Sequence, residues 1–234
     1  MTPLHPGILA LDLFTYLPAH KTLVLADLHL GFEERLAREG VLVPRIQFNE
    51  ILARIKWAFK QVKVKKLILN GDIKHEFGRI SRQEWNEIAK LVKFVQGEGV
   101  EVVAVRGNHD TIFGPVAKEL NIQEVDEVRI GDVLIMHGDY IPKKLAPVII
   151  IGHEHPAITL KDNAKREKFK CFVKAHLKKR VLIVQPSCNT FTQGTDITKE
   201  NILSPLLAKS TAREVFIVNE KTREVLAFGK VSDL

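Results

Sequence analysis

Five short polar clusters carry the residue types that bind metal ions. They are Asp27-Leu28-His29, Gly71-Asp72, Gly107-Asn108-His109-Asp110, His137-Gly138-Asp139 and Gly152-His153-Glu154-His155. Each follows a run of aliphatic residues. Taken singly they say little: Asp-x-His reads as a capping Asp beside a hydrogen-bonded histidine, and Gly-Asp is a common turn. Together they are informative, because carboxylates and imidazoles at the ends of buried strands are costly unless paired or bound to a cation. Alternate side chains of an extended chain share a face. Asp27 with His29, and His153 with His155, are therefore expected to point the same way. Glu154 is expected to face away and to be replaceable. A set of oxygen and nitrogen donors without thiolate suits Mn²⁺, Fe²⁺ or Zn²⁺.

The elements that must position these clusters alternate in type. "TLVLADLHL" (22–30), "KLILNGD" (66–72), "VEVVAVRGN" (100–108), "DVLIMHGD" (132–139) and "PVIIIGH" (147–153) read as buried strands. Helices are expected over 44–62, opening at Pro44, and over 81–97, where Ser81 and Glu84 form a capping-box pattern and Gly97 a stop. Strand–helix–strand order makes the first half parallel, and the C-terminal ends of such strands form ligand crevices. The second half differs: a hairpin at Gly131–Asp132 is followed by short strands in "KCFVKAHL", "RVLIVQPS", "EVFIVNE" and "EVLAFGK". Two packed sheets in a single domain over 1–234 fit this pattern.

The chain has 234 residues, 45% hydrophobic and 27% charged, the balance of an ordinary globular protein. Cys171 and Cys188 suggest neither a zinc knuckle nor a disulfide framework. No signal-peptide pattern opens the sequence, and no apolar run approaches the ~18 residues of a membrane span. The expectation is a cytoplasmic protein with no membrane partner. The net charge of +7 is concentrated in 161–180, "KDNAKREKFKCFVKAHLKKR". That segment is either a strip that meets a polyanion or a solvated Lys-rich hairpin.

In their order along 27–155, D-x-H, GD, GNHD, H and G-H-x-H resemble the motifs of the calcineurin-like metallophosphoesterase superfamily. The resemblance implies a four-layer α/β/β/α sandwich of two mixed β-sheets flanked by helices. It also implies two divalent metal ions, Mn²⁺ first, with Fe²⁺ or Zn²⁺ as alternatives. Asp27, His29, Asp72 and His155 would hold one ion. Asp72, Asn108, His137 and His153 would hold the second, with Asp72 bridging. Such a pair, roughly 3.5–4 Å apart, clamps a phosphoryl oxygen and makes hydroxide available near neutral pH. The family's GNH[D/E] histidine, here His109, protonates the leaving oxygen.

"GDIKHEFG" (71–78) bears on the substrate. Three residues after Asp72, where related phosphomonoesterases hold an Asp, stands His75, similar to SbcD-type nucleases. A second donor beside the scissile group suits a diester. With "GHEHP" and "QPSCNTFTQGTDI" (185–197), the chain resembles compact archaeal SbcD-related and bacterial DNA-ligase-associated phosphoesterases. The resemblance implies a dinuclear phosphodiester hydrolase, a nuclease acting on DNA or RNA. Metal-bound hydroxide would be the nucleophile and His109, helped by His75, the acid. Asn189, Gly194 and Asp196 are expected to shape a loop near the site. The stretch after His155 reads as the rest of the second sheet rather than a capping domain, so a partner ATPase is not expected. Two rival readings are a small-molecule phosphoesterase hydrolysing cyclic or mononucleotides and a non-catalytic interaction scaffold. The complete donor set and His109 weigh against the scaffold.

Overall fold

The structure, a computed structural model, describes residues 1–162 and 165–233; Asn163 and Ala164 of the basic segment, and Leu234, lie outside them. The first sheet runs in chain order through β1 (Thr2–His5), β2 (Ile8–Leu11), β3 (Phe14–Leu17), β4 (Thr22–Ala26), β5 (Lys66–Asn70), β6 (Glu101–Val105) and β7 (Gln123–Val125). The first four strands form an antiparallel meander, and β4 to β7 are parallel. The crossovers carry α1 (Phe32–Arg38), α2 (Gln47–Gln61), α3 (Arg82–Gly97) and α4 (Gly114–Glu119).

Helix α3 starts as its sequence indicates, with Ser81 and Glu84 capping each other's backbone N–H groups. Helix α2 starts at Gln47 rather than Pro44. The reason is a tertiary cap: the buried Glu33 carboxylate accepts from the N–H groups of Ile46 (2.7 Å) and Gln47 (2.8 Å), which fixes where the helix begins.

The second sheet contains β8 (Glu127–Ile130), β9 (Val133–Met136), β10 (Val148–Ile151), β11 (Pro156–Asp162), β12 (Lys165–Leu177), β13 (Arg180–Val184), β14 (Thr195–Asp196), β15 (Thr211–Asn219) and β16 (Glu224–Lys230). Strands β8 and β9 form the hairpin around Gly131 and Asp132. At its centre β9, β10 and β13 are parallel, and the other pairings of strands longer than two residues are antiparallel.

Period-2 alternation sorts the side chains into layers. Ile135, Ile150 and Ile183 join the large core that includes the first sheet. Their neighbours Leu134, Met136, Ile149, Ile151, Leu182 and Val184 face the other way, onto Leu206 and Leu207 of α5 (Pro205–Ala208). Ile51, Ile55 and Ala58 of α2 and Ile88, Leu91, Val92 and Val95 of α3 cover the first sheet. The fold is therefore a mixed α/β sandwich of two mixed sheets flanked by helices. Its last helical layer is thin, since α5 is a four-residue helix. No described helix is long and apolar enough to cross a membrane.

The basic segment does not form one cationic strip. Most of it is β12, whose Lys170 is buried and donates to the carbonyls of Ser187 and Asn189. Lys168 pairs with Glu200 and Lys174 with Glu214. What remains exposed divides between the two ends: Lys161, Lys165 and Arg166 at one, Lys178 and Lys179 at the other. Strand alternation and cross-strand pairing consume the charge that lies between them.

Candidate metal centre

The polar clusters leave their strands abruptly. β4 ends at Ala26, β5 at Asn70 and β10 at Ile151. Beyond these ends Asp27, His29, Asp72, His153 and His155 all take left-handed backbone angles, with φ of 54°, 47°, 47°, 65° and 49°. Each such residue costs on the order of 1 kcal/mol, and clusters of them mark sites where the surroundings impose the geometry. Backbone hydrogen bonds between the two loops impose it here. Asp27 N–H donates to Gly71 O (3.1 Å), His29 N–H to Asp72 O (2.8 Å) and Leu30 N–H to Ile73 O (2.9 Å). Gly107 is a close-approach position, since a Cβ there would overlap the Asp72 backbone nitrogen and Oδ1.

These loops converge where the C-terminal ends of parallel strands from both sheets meet. One ligand atom from each of Asp27, His29, Asp72 and His155 falls within 4.8 Å of the others, and Asp72, His137 and His153 do the same. The two oxygens of Asp72 face different clusters: Oδ2 lies 3.7 Å from His29 Nε2, and Oδ1 lies 3.5 Å from His137 Nε2. Asn108 Oδ1 lies 3.0 Å from His137 Nε2, so all seven residues read from sequence as metal donors are brought together.

The donor chemistry fits divalent cations. His137 Nε2 lies 3.1 Å from His153 Nδ1, and His29 Nε2 lies 3.3 Å from His155 Nε2. Nitrogen lone pairs converging on carboxylate oxygens need a proton or a metal cation between them. Asp139, after His137, adds a buried Oδ1 with no partner among the described residues. The titration behaviour points the same way. Burial, and next the Asp27 carboxylate, push Asp72 up to about 9. Burial works against ionisation of Asp27 too, but His155, His137 and His29 bring it down to about 2. Burial, and then His155, hold His29 well below the usual imidazole range. Neutral imidazoles and one hard-to-ionise bridging carboxylate are what a dication converts into ligands.

His109 and His75 flank this cluster. His109 Nδ1–H donates to the His75 carbonyl at 2.6 Å, which leaves Nε2 facing the site, 3.9 Å from Asp72 Oδ2. The His75 ring stacks on His109 with centroids 5.6 Å apart, and its Nδ1 lies 3.4 Å from His29 Nδ1. Burial, then His109 and Arg35, bring His75 down to about 4, while burial lowers His109 as well. His29, His75 and His109 also form a third group with converging ligand atoms.

Several supporting residues were not legible as such. Asp110 is buried and accepts from Gly107 N–H (3.0 Å) and Ile73 N–H (3.1 Å), tying the GNHD loop to the GD loop; burial raises it to about 6. Glu84 serves twice, capping α3 and accepting from the His75 and Glu76 N–H groups at 3.0 and 2.8 Å. Lys74, wholly buried, donates to the carbonyls of His109 and Glu76. A lysine flanked by ordinary turn residues gives no sequence signal for that role. In the 185–197 stretch Ser187 Oγ donates to Asp27 O (2.8 Å) and Asn189 N–H to the same oxygen (3.2 Å), bracing Asp27. Gly194 lies against the His155 carbonyl, and Asp196 accepts from Thr198 farther along the loop.

Glu154 departs from expectation. It is buried, and its carboxylate accepts from the Leu203 N–H (3.0 Å) and Ser204 N–H (2.8 Å). The alternation rule fails because His153 and His155 are not extended. Glu154→Ala should cost about 1–3 kcal/mol by stranding the buried Ser204 N–H and the partly buried Leu203 N–H. Urea unfolding checks this, and an unchanged midpoint would show the clamp to be dispensable.

The model of the calcineurin-like phosphoesterase family matches residues 20–178, well over half of the chain. Among solved structures, the nuclease MPE of Pseudomonas putida superposes with a TM-score of 0.69 at 24% identity, covering 94% of each chain. The phosphoesterase YfcE of E. coli gives a TM-score of 0.47 at 13% identity, covering 88% of this chain and 96% of that one. A search of curated protein sequences finds no significant match. With its donor loops on parallel strand ends of two facing sheets, this chain belongs to the calcineurin-like phosphoesterase family, whose chemistry is phosphoester hydrolysis.

Proposed function

We propose that the protein is a dinuclear metal-dependent phosphodiesterase acting on nucleic acid. The observation that carries this reading is the pair of imidazoles beside the donor clusters, His109 with Nε2 turned inward and His75 stacked against it. Asp27, His29, Asp72 and His155 would hold one cation; Asp72, Asn108, His137 and His153 would hold the other. When bound, two divalent cations such as Mn²⁺ supply charge for phosphoryl oxygens and water acidic enough to ionise near neutral pH.

The chain's own residues do the rest. Because the His75 carbonyl takes the Nδ1–H of His109, the second proton of its imidazolium form sits on Nε2, where a leaving oxygen can take it. As water adds to phosphorus and the P–O ester bond breaks, that proton passes to the departing alkoxide. His75 is neutral near pH 7 and donates a hydrogen bond to a phosphate oxygen; the phosphate's negative charge raises both imidazoles. The name of the Pseudomonas putida protein, a nuclease, supports the same substrate class.

With Mn²⁺, bis-p-nitrophenyl phosphate and single-stranded DNA should be hydrolysed faster than p-nitrophenyl phosphate. Preference for the monoester would overturn the diesterase reading. Hydrolysis of cyclic nucleotides but not DNA would favour the small-molecule alternative, and inertness toward all of them a scaffold.

A further inference from the structure

A second charged feature lies away from the donor clusters. At the N-terminal ends of β10 and β13, Ile141, Pro142, Leu145, Leu177 and Leu206 floor a groove of about 310 Å³. Its rim carries Lys143, Lys178, Arg180 and Lys209, and an adjoining groove adds Lys179. Among the described residues none of these five cations makes an ion pair, whereas Lys168 and Lys174 on β12 both do. Five like charges around an apolar floor, left without acids, repel one another and form a standing positive potential. Stability alone gives no reason to gather them.

We propose that this groove binds the phosphate backbone of a nucleic-acid strand whose scissile group lies at the metal centre, an inference that rests on the nucleic-acid reading above. Charge complementarity selects a polyanion, and the fold supplies the path. Ser204, the N-cap of α5, donates its hydroxyl to Gly138 O next to His137, and its own N–H bonds Glu154 between His153 and His155. From there α5 leads directly to Leu206 and Lys209 at the groove. Along β10 the separation is the length of about six extended residues, roughly 20 Å. At about 3.4 Å per nucleotide of a base-stacked strand, that is about six nucleotides. The groove thus acts as a ruler: strands long enough to span it bind tightly, and shorter ones bind only at the centre. The apolar floor accommodates sugar and base surface between the phosphate contacts.

The test is binding of 4-mer and 20-mer single-stranded DNA by fluorescence anisotropy, with Mn²⁺ present and cleavage slowed by His109→Ala in both proteins, with and without the further triple substitution Lys178→Gln/Lys179→Gln/Lys209→Gln. The 20-mer should lose at least about tenfold in affinity on the triple substitution. Its slope of log K against log salt should flatten by about 2, near 0.7 per lost contact. The 4-mer should be unaffected. Bis-p-nitrophenyl phosphate, too small to reach the groove, reports on the metal centre, and thermal melting reports on folding. Equal 20-mer affinity and slope in both proteins, with DNA still cleaved by wild type, overturns the groove and spares the nuclease reading. A wild type that hydrolyses the small diester but neither binds nor cleaves DNA overturns both. Polyglutamate bound as tightly as DNA, and weakened equally by the substitutions, reassigns the groove to acidic polypeptide and overturns the proposal.

Discussion

On the nuclease reading proposed above, replacing His109 by alanine is expected to slow DNA hydrolysis by about 10²–10⁴-fold while leaving the metal content unchanged. The expectation follows from the division of labour around Asp72. His109 presents its backbone N–H to Asp72 Oδ1 at 2.9 Å, and alanine retains that bond. Its ring belongs to neither donor group centred on Asp72. What disappears is the inward-facing Nε2, the atom that would carry a proton to the leaving oxygen in the imidazolium form. The loss should depend on the leaving group: a DNA alkoxide needs that proton, whereas p-nitrophenolate departs without it. Turnover of bis-p-nitrophenyl phosphate should therefore fall much less. Measuring kcat for both esters, with metal content by elemental analysis, separates the roles. Equal losses on the two esters would make His109 a structural support of the loop, and unimpaired DNA cleavage would remove it from the chemistry.

Asp72→Asn should abolish activity and, without metal, should make the protein more stable than wild type. An amide offers one oxygen to a cation, so the variant cannot serve both clusters that Asp72 Oδ1 and Oδ2 now face. In the metal-free protein, burial and Asp27 hold the Asp72 carboxyl up at about 9. The native state then keeps a proton that the unfolded chain has released. Wild-type stability accordingly falls as pH rises from the ordinary carboxyl range toward 9, a penalty the amide escapes. Asp27, brought down to about 2, acts in the opposite sense but only below about pH 4. Melting both proteins in EDTA at pH 5 and pH 8 should show the advantage of Asn widening with pH. Adding Mn²⁺ should raise the melting temperature of wild type more than that of the variant. A gap that narrows with pH would mean that Asp72 is ionised without metal.

Much of this architecture is readable from the chain because strand ends and polar clusters coincide. The capping box at Ser81 and the hairpin at Gly131–Asp132 are local signals that tertiary structure leaves alone. The meander of β1 to β3 is not readable. Its strands are four residues each, "TPLH", "ILAL" and "FTYL", too short to show a period and joined by tight turns at Gly7 and Asp12. The donor residues are legible by type and order, but not their conformation. Extended alternation places Glu154 outside, whereas left-handed backbone at its two neighbours turns it inward to clamp 203–204. Lys74 and Lys170 are missed for a related reason. A lysine reads as surface unless carbonyls from distant loops gather around its ammonium, and those loops meet only in the folded chain.

The chain passes from one sheet to the other at a single residue, Asp126, between β7 and β8. Asp27, His29, Asp72 and Asn108 come before that crossing; His137, His153 and His155 come after it. On the proposed ligand assignment each half of the polypeptide is an incomplete chelator, and a full donor set exists only while the halves are docked. Cutting the chain at 126 would yield two fragments, each short of the other's ligands, and metal affinity would become a gauge of their reassembly.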